Sequence, residues 1–382
     1  MTKLAVHNPK KNSFFKNLEN YFDQYCKRTG IHGFQYFCEH GRSPFERYWW
    51  LFVLLLSFGA CIYSVYWTYQ KWERSPVIVN FASRGTPIYK IPFPAITICP
   101  ETKLASEKFN YTKMMHKKED GIPLSREEDI YFEYMSMICG NENFVTSENQ
   151  TFPDEFFDVV DHLKPEFQIT NCSFFLSSSI NCKPLFIPVL TEEGVCYSFN
   201  ILNRSEIFRD TVVSLKLIHC RVPYKDYHVV SQKVTHWSIE GGYSAYPGIN
   251  LYPYRAYLSG ISKGLTLTIF TPYKDLDYTC RGPLQGYRVL LYTPMTVPRP
   301  SQKYFRLPLD QSVVASVDPI MIKTSSSIAK YHARKRGCYF HNERYLKYFK
   351  VYTSNNCKLE CVTNYTLYLC DCVSYFMPSM WF

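Results

Sequence analysis

The chain has 382 residues, of which 46% are hydrophobic, and this length is enough for one large domain or two ordinary domains. Its formal net charge is +10, and eight of its basic residues lie within residues 1–47 beside four acidic ones. No dense run of Lys and Arg with interleaved aromatic residues is present, so the sequence gives little support to nucleic-acid binding. Tyr and Phe are abundant, at 32 and 28 residues, which favours strands in the bulk of the chain.

The first predicted element is a membrane-spanning helix. Residues 48–69 form a run of 22 residues without a charge, bounded by Arg47 and Lys71. At a rise of about 1.5 Å per residue the run is about 33 Å long, enough to cross a hydrocarbon core of about 30 Å. One alternative is a buried core helix, which usually carries a shorter apolar run. The other is a cleaved signal peptide, which the 47 mostly polar residues before the run disfavour.

The orientation of this helix is predicted from the distribution of cysteines and sequons on its two sides. Charge does not decide it, because the twenty residues on either side hold three Lys or Arg each. Twelve of the 15 Cys and all five Asn-x-Ser/Thr sequons lie beyond the helix, as expected for an oxidising extracellular compartment. We therefore predict a plasma-membrane protein with residues 1–47 in the cytoplasm, a span at 48–70 and residues 71–382 outside. The predicted glycosylation sites are Asn110, Asn149, Asn171, Asn203 and Asn364.

The outer segment combines helical and strand patterns. Residues 102–138 have the most helical pattern, with a break at 121–123, and a further helix is predicted over 356–369 with Asn355 as its cap. The strand-like runs are short and separated by Gly and Pro, and they include residues 77–79, 95–98, 265–270 and 287–292. The predicted fold class is therefore α+β, with one transmembrane helix followed by a large, disulfide-rich, strand-dominated extracellular domain with peripheral helices.

Four cysteines near the end of the sequence form its most specific pattern, Cys357-x3-Cys361 followed by Cys370-x-Cys372. Positions i and i+4 of a helix share a face, so the first two thiols can staple the predicted helix to a neighbouring layer. A zinc site is the chemical alternative, but its usual pattern is two Cys-x2-Cys pairs, and an oxidising compartment favours disulfides. The ten His show no metal-ligand spacing, so no metal or other cofactor is predicted.

The residues around these cysteines resemble the cysteine-rich signature of the degenerin/epithelial sodium channel family. The resemblance runs from Tyr352 through Cys372 to Met377-Pro378, and the upstream Arg336-Gly337-Cys338 is similar to the insect pickpocket branch. Four other segments resemble family motifs in the same order along the chain. They are Ile31-His32-Gly33, Glu46-Arg47-x-x-Trp50, residues 93–99 and residues 193–200.

The resemblance implies a subunit of an amiloride-sensitive sodium channel that is gated by a ligand or by mechanical force. It implies a homo- or heterotrimer of related subunits that conducts Na⁺ through a pore lined mainly by a second membrane helix. His32 and Gly33 would lie at the cytoplasmic mouth and take part in gating, although the residues alone favour an ordinary turn glycine and a hydrogen-bonded histidine. Cys99 would pair with Cys196. The other cysteines expected in disulfides are Cys338, Cys357, Cys361, Cys370 and Cys372. In the family each pairs with a partner further downstream, and without those partners they could mispair, stay free or join other chains.

One departure from the family keeps a second function open. No other apolar run of membrane-spanning length is found after residues 48–69, and the sequence stops before the position of the family's second helix. We therefore expect this chain alone to carry no selective Na⁺ current, because one helix per subunit supplies no selectivity filter. A single-pass, extracellular-facing glycoprotein that acts as a receptor or adhesion module is the alternative.

An enzyme is disfavoured. The segment Gly260-Ile261-Ser262-Lys263-Gly264 fits the Gly-x-Ser-x-Gly pattern of a hydrolase nucleophile elbow. Such an elbow requires a helix after the serine, whereas residues 265–270 alternate like a strand. We therefore interpret the segment as a turn between strands.

Overall fold

The computed structural model of the protein describes residues 14–31, 33–39, 41–74, 77–140, 154–174, 183–212, 237–239, 241–243 and 251–380. The chain divides into two compact units. The first comprises Met1–Asn80 with Ser326–Cys338, and the second comprises Phe81–Ser325 with Tyr339–Phe382.

Both helices and strands are present in the described residues. The helices are α1 (Phe14–Arg28), α2 (Phe34–Cys38), α3 (Pro44–Arg74), α4 (Tyr111–Glu119), α5 (Arg126–Cys139), α6 (Asp154–Leu163), α7 (Arg204–Ile207), α8 (Ala333–Arg336) and α9 (Ser354–Cys370). The strands are β1 (Ala95–Pro100), β2 (Gln168–Phe174), β3 (Phe186–Thr191), β4 (Gly194–Phe199), β5 (Trp237–Ser238), β6 (Gly242–Tyr243), β7 (Leu265–Phe270), β8 (Tyr287–Tyr292) and β9 (Phe305–Leu307). Helices α1 to α3 and α8 belong to the first unit, and the other elements belong to the second.

The long helix α3 is the main element of the first unit. Ser43 caps its start, since Ser43 Oγ accepts a hydrogen bond from the backbone N–H of Glu46 at 3.3 Å. Pro44 occupies the first helical position, where its missing N–H leaves no helical hydrogen bond unmade. The predicted run 48–69 lies wholly inside α3, so the helix is confirmed. The helix continues to Arg74, beyond the predicted end of the span at residue 70.

The second unit is built on a five-stranded antiparallel sheet in the order β3-β4-β1-β8-β9. Strand β1 is central, because it pairs with β4 on one side and with β8 on the other. The fully buried Thr97 of β1 links all three strands: its Oγ1 lies 2.6 Å from Ser198 Oγ of β4 and donates to the Tyr292 hydroxyl of β8 at 2.8 Å. These bonds satisfy the hydroxyl groups of Thr97 and Ser198, which are fully buried.

Three buried apolar clusters hold the second unit together. In the cluster around α4, α5 and α6, the ring of Tyr111 stacks on that of Phe132 with centroids 5.0 Å apart. A second cluster packs the sheet against the β2–β7 pair, where Phe174 meets Phe199 edge-on at 5.1 Å. The third buries Leu359 of α9 among residues of the sheet and its neighbouring loops. Each large apolar side chain buried in this way contributes about 1.5–3 kcal/mol of stability.

The predicted α+β class is confirmed, and several element bounds agree with the sequence patterns. Strands β7 and β8 have the predicted bounds, and β1 contains the predicted run 95–98. Within the predicted helical region 102–138, α4 and α5 form on either side of the predicted break at 121–123, whereas residues 102–110 form turns and no helix. Two details differ. Residues 77–79 carry no strand pairing, and α9 is capped by Thr353, whose Oγ1 accepts from the Asn356 N–H at 3.1 Å, rather than by Asn355.

Candidate functional site

Gly33 forms the turn that brings α2 against α3. Its φ of +86° lies in the left-handed region, which a residue without a Cβ atom adopts at little cost. A Cβ atom at this position would lie 3.0 Å from two ring carbons of Trp50 in α3, closer than an ordinary contact. Tyr36 of α2 packs on the same indole, with ring centroids 4.8 Å apart. His32, predicted to act with Gly33 in gating, lies outside the described residues, and the gating role of both stays a prediction.

Helix α3 has the surface of a membrane-spanning helix. It contains a window of 18 residues with a mean hydropathy of 1.8, and no residue of that window is buried within the protein. The hydroxyl groups along it bond inside the helix: Ser64 Oγ donates to the Ala60 carbonyl at 2.9 Å, and Thr68 Oγ1 donates to the Ser64 carbonyl at 2.8 Å. These groups therefore need no water, which suits a helix in lipid. A continuous exposed apolar surface makes α3 a candidate membrane span.

Two long-range disulfides cross-link described residues of the second unit, and Cys172 of β2 is disulfide-bonded as well. Cys99 of β1 is bonded to Cys196 of β4 across 97 residues of sequence, and both cysteines are fully buried. This is the pair that the family resemblance implies. The second bond joins Cys139 of α5 to Cys280 across 141 residues, and sequence reasoning missed it. Neither of these cysteines lies in a motif, and pairing cannot be deduced from spacing alone.

A cluster of buried charges lies where β1, the β3–β4 turn and β8 meet, and the sequence patterns gave no sign of it. Glu193 accepts a hydrogen bond from Arg288 Nη1 at 3.0 Å, and its other carboxylate oxygen is 3.6 Å from Lys103 Nζ. Arg288 Nε also donates to Glu101 at 2.9 Å, and Lys103 donates to the Pro100 carbonyl at 2.7 Å. The Lys103 and Glu193 side chains are each 3% exposed. Charges at this depth are tolerated only when paired, so the cluster ties the three elements together.

Burial destabilises the charged form of the Lys103 side chain in this cluster. Burial lowers the pKa of its ammonium group from 10.5 to about 8, and the carboxylates of Glu193 and Glu101 partly oppose this shift. The guanidinium groups of Arg281 and Arg288 add to the lowering. Lys103 therefore loses its proton in mildly alkaline solution, well before an exposed lysine would.

The cysteines that the family resemblance places in further disulfides have free thiols in the structure, and they are Cys338, Cys357, Cys361, Cys370 and Cys372. Two of them lie one turn apart on α9, as their i, i+4 spacing predicts. Across the part of the chain that the structure describes, no group of three or more His, Cys, Asp or Glu is arranged to hold a metal ion. The participation of these five cysteines in disulfides stays a prediction.

The sequons differ in their surroundings. Asn110, Asn171 and Asn364 are exposed, whereas Asn203 is partly buried and forms a capping box with Glu206 at the start of α7. Asn149 lies outside the described residues. Glycosylation of all five stays a prediction.

The segment around Ser262 does not have the geometry of a nucleophile elbow. Ile261–Lys263 is a single 3₁₀ turn, and strand β7 comes directly after it, where an elbow requires a helix. The predicted turn is therefore present and β7 follows it, but residues 253–260 before it form no strand, so it is not a turn between two strands.

The chain combines a long exposed apolar helix with a disulfide-bonded α+β unit, and these are features of a class of membrane-anchored proteins. Residues 25–380 match the family described as "Amiloride-sensitive sodium channel". The chain therefore belongs to this family of sodium channels, and the resemblance found in its motifs is confirmed.

Curated relatives in this family are of insect and vertebrate origin. The chain is 26% identical over 359 residues to pickpocket protein 28 of Drosophila melanogaster, covering 93% of this chain and 56% of that protein. It is 24% identical over 384 residues to sodium channel protein Nach of the same species, covering 95% and 64%. A shorter match of 28% identity over 86 residues links it to epithelial sodium channel subunit alpha of Xenopus laevis, covering 22% and 13%. The chain thus spans roughly three fifths of the length of the first two relatives.

Proposed function

We propose that this chain is a subunit of an amiloride-sensitive Na⁺ channel in the plasma membrane, gated by a ligand or by mechanical force. The observation that carries the proposal is the family match over residues 25–380, which includes the candidate membrane helix and both disulfide-bonded pairs. The family and its relatives are sodium channels by description, and we infer the activity of the complete channel for this chain from that family relationship.

We further propose that α3 crosses the membrane once, with residues 1–47 in the cytoplasm and residues 71–382 outside. The two long-range disulfides of the second unit support this orientation, since such bonds persist in oxidising compartments. The exposed sequons Asn110, Asn171 and Asn364 also fit it. One observation opposes it: Cys26 of α1 is disulfide-bonded in the structure, and a reducing cytoplasm disfavours such a bond. The long-range disulfides and all five sequons lie on one side of α3, and we infer that this side is extracellular.

The proposed assembly is a homo- or heterotrimer with related subunits, and Na⁺ is the permeant ion. In this assembly Gly33 lies at the cytoplasmic end of α3, against Trp50, where a change in the turn is transmitted directly to the membrane helix. His32, its neighbour, is proposed to act with it in gating.

Co-expression with pickpocket protein 28 tests the proposal, because a subunit must bind its partners before it can affect a current. An epitope-tagged version of this chain is expressed with the relative in oocytes, and the amiloride-sensitive Na⁺ current and co-purification from the cell surface are measured. We expect co-purification together with a changed current. The same experiment with sodium channel protein Nach extends the test to a second relative. Delivery to the surface without co-purification or any change in current with either relative would contradict the proposal and favour the receptor or adhesion alternative.

A further inference from the structure

Helix α1 exposes a continuous apolar face that the proposed channel function does not account for. The apolar residues of this face recur at helical spacing, so their side chains lie on one side of α1. They are also unusually open to solvent for large apolar groups: the exposed fractions are Phe14 73%, Leu18 55%, Tyr21 72%, Phe22 45% and Tyr25 52%. A face of this kind in water is normally the contact surface for an apolar partner.

The opposite face of α1 is polar and charged. It carries Lys16, Glu19, Asn20 and the i, i+4 ion pair between Asp23 and Lys27, whose Nζ and Oδ2 atoms are 2.6 Å apart. The segregation of apolar and charged residues on two faces is the pattern of a helix that lies in the plane of a membrane surface. Tyrosines on the apolar face suit the same location, since their rings are apolar and their hydroxyl groups reach the headgroups.

Helix α2 covers only part of this face. The rings of Phe22 and Tyr25 meet Phe34 edge-on at 6.1 Å and 5.8 Å, which anchors the end of α1 to α2. The same two rings remain about half exposed, and the face towards Phe14 is more exposed still. The contact with α2 therefore orients α1 without burying its apolar side.

The position of α1 in the chain favours a lipid surface as its partner. Residues 29–43 connect α1 to α3 and, even if fully extended, reach at most about 50 Å. A helix tethered this closely to a membrane span is held near the headgroups of the leaflet on its own side. Residues 1–47 hold eight basic and four acidic residues, and this excess of positive charge complements the anionic lipids of a cytoplasmic leaflet.

We propose that α1 lies in the plane of the cytoplasmic membrane surface, with the face formed by Phe14, Leu18, Tyr21 and Tyr25 in contact with lipid and its charged face towards the cytoplasm. This inference rests on the part of the proposed function that places α3 in the bilayer and residues 1–47 in the cytoplasm. It does not depend on Na⁺ conduction.

Site-specific photolabelling of the full chain tests this arrangement. A diazirine amino acid replaces Leu18 or Tyr21 on the apolar face, or Asn20 on the charged face as the matched control. The protein is reconstituted into vesicles of phosphatidylcholine and phosphatidylserine, irradiated and digested, and adducts are identified by mass spectrometry. We expect lipid adducts at Leu18 and Tyr21 in at least fivefold excess over Asn20. Equal lipid labelling at all three positions, or adducts of the apolar face with a second copy of the chain instead of lipid, overturns the inference.

A fourth labelling position separates this inference from the proposed function. Leu55 lies on α3 and is 62% exposed, so it labels with lipid if α3 crosses the bilayer. Labelling at Leu55 without labelling at Leu18 and Tyr21 overturns the placement of α1 alone. If Leu55 is not labelled with lipid, both the placement of α1 and the proposed membrane crossing of α3 are overturned.

A charge placed on the apolar face gives an independent measurement. The substitution Tyr21→Glu puts a carboxylate towards the lipid, and we expect at least a threefold loss of lipid adducts at Leu18. The matched substitution Asn20→Glu adds the same charge to the polar face and leaves the labelling of Leu18 unchanged. Equal effects of the two substitutions overturn the inference.

Discussion

Gly33 lies so close to Trp50 that a Cβ atom added to it would be 3.0 Å from the indole ring. Because the φ of Gly33 is also +86°, a substitution brings both backbone strain and a steric contact with α3. We expect Gly33→Ala to change the position of α2 against α3 at a cost of about 1–2 kcal/mol. In the co-expression assay this corresponds to a change of about fivefold or more in the amiloride-sensitive current per copy of the chain at the surface.

Gly30→Ala is the matched control for this substitution. Gly30 has no heavy atom within 4 Å of its would-be Cβ atom, and its φ does not lie in the left-handed region. We expect its current to match that of the unmodified chain. Equal currents from the Gly33→Ala and Gly30→Ala variants would show that the contact with Trp50 has no role in gating.

The long-range disulfides Cys99–Cys196 and Cys139–Cys280 are expected to be essential to the stability of the second unit. Each closes a long loop, of 97 residues for Cys99–Cys196 and 141 residues for Cys139–Cys280, so each strongly restricts the unfolded chain. We expect the double substitution Cys99→Ser with Cys196→Ser to lower the free energy of unfolding by about 2–5 kcal/mol. Thermal unfolding of the purified chain and the amount at the cell surface measure the loss. Cys61→Ser, which removes an exposed free thiol of α3, serves as the control and should leave the stability of the second unit unchanged.

The parts of the fold that the sequence predicts are those whose signals are local. The uncharged run of α3, the alternation in β7 and the short strand-like run of β8 each lie within one segment, and the structure places these elements where the patterns predict them. The Cys99–Cys196 pair could be predicted only because both cysteines lie in segments that resemble family motifs. Cys139 and Cys280 have no such context, so their bond could not be foreseen.

The buried charge cluster also could not be predicted from local sequence patterns. Arg288 and Glu193 are 95 residues apart in sequence. Glu193 begins the segment 193–200 that resembles a family motif, but neither that motif nor the residues around Arg288 predict that the two side chains meet. They meet because β1 lies between β4 and β8, and that order of strands is a property of the whole sheet. The cap of α9 was misplaced for a smaller reason: Thr353 and Asn355 are both good capping residues, and only the geometry of the first turn selects Thr353.

Glu360 attaches α9 to the loop before it. Its two carboxylate oxygens accept hydrogen bonds from the backbone N–H groups of Lys347 and Tyr348, at 2.9 Å and 3.0 Å, and the residue is buried. In Glu360→Gln an amide NH₂ group faces one of these N–H donors, so we expect a loss of about 1–3 kcal/mol in the free energy of unfolding. Chemical denaturation measures this loss. Lys358→Gln changes an exposed residue of the same helix and should have no effect; a comparable loss in both variants would contradict the role given to Glu360.

Glycosylation provides a test of orientation that the structure makes residue-specific. We expect Asn110, Asn171 and Asn364 to carry glycans, because they are exposed. Asn203 should be occupied less, because it is partly buried and holds the capping box with Glu206. Asn→Gln substitution at each position, together with glycosidase digestion and measurement of the mobility shift, gives the occupancy. A chain without any glycan at the three exposed sites would argue against an extracellular second unit.

Lys103 makes the stability of the second unit depend on pH in a defined direction. Its pKa is about 8 in the folded protein and 10.5 unperturbed, so between these values the unfolded chain binds the extra proton. The contribution of Lys103 to the free energy of unfolding is therefore constant below pH 8 and rises with pH between about 8 and 10.5, by at most about 1.4 kcal/mol per pH unit. Lys103→Met removes this titration. We expect the stability of the unmodified chain relative to the variant to rise from pH 8 to pH 9.5, as measured by denaturant unfolding at matched ionic strength. Parallel stability curves for the two proteins across this range would show that Lys103 titrates like an exposed lysine, and that its ammonium group is not confined in the buried cluster.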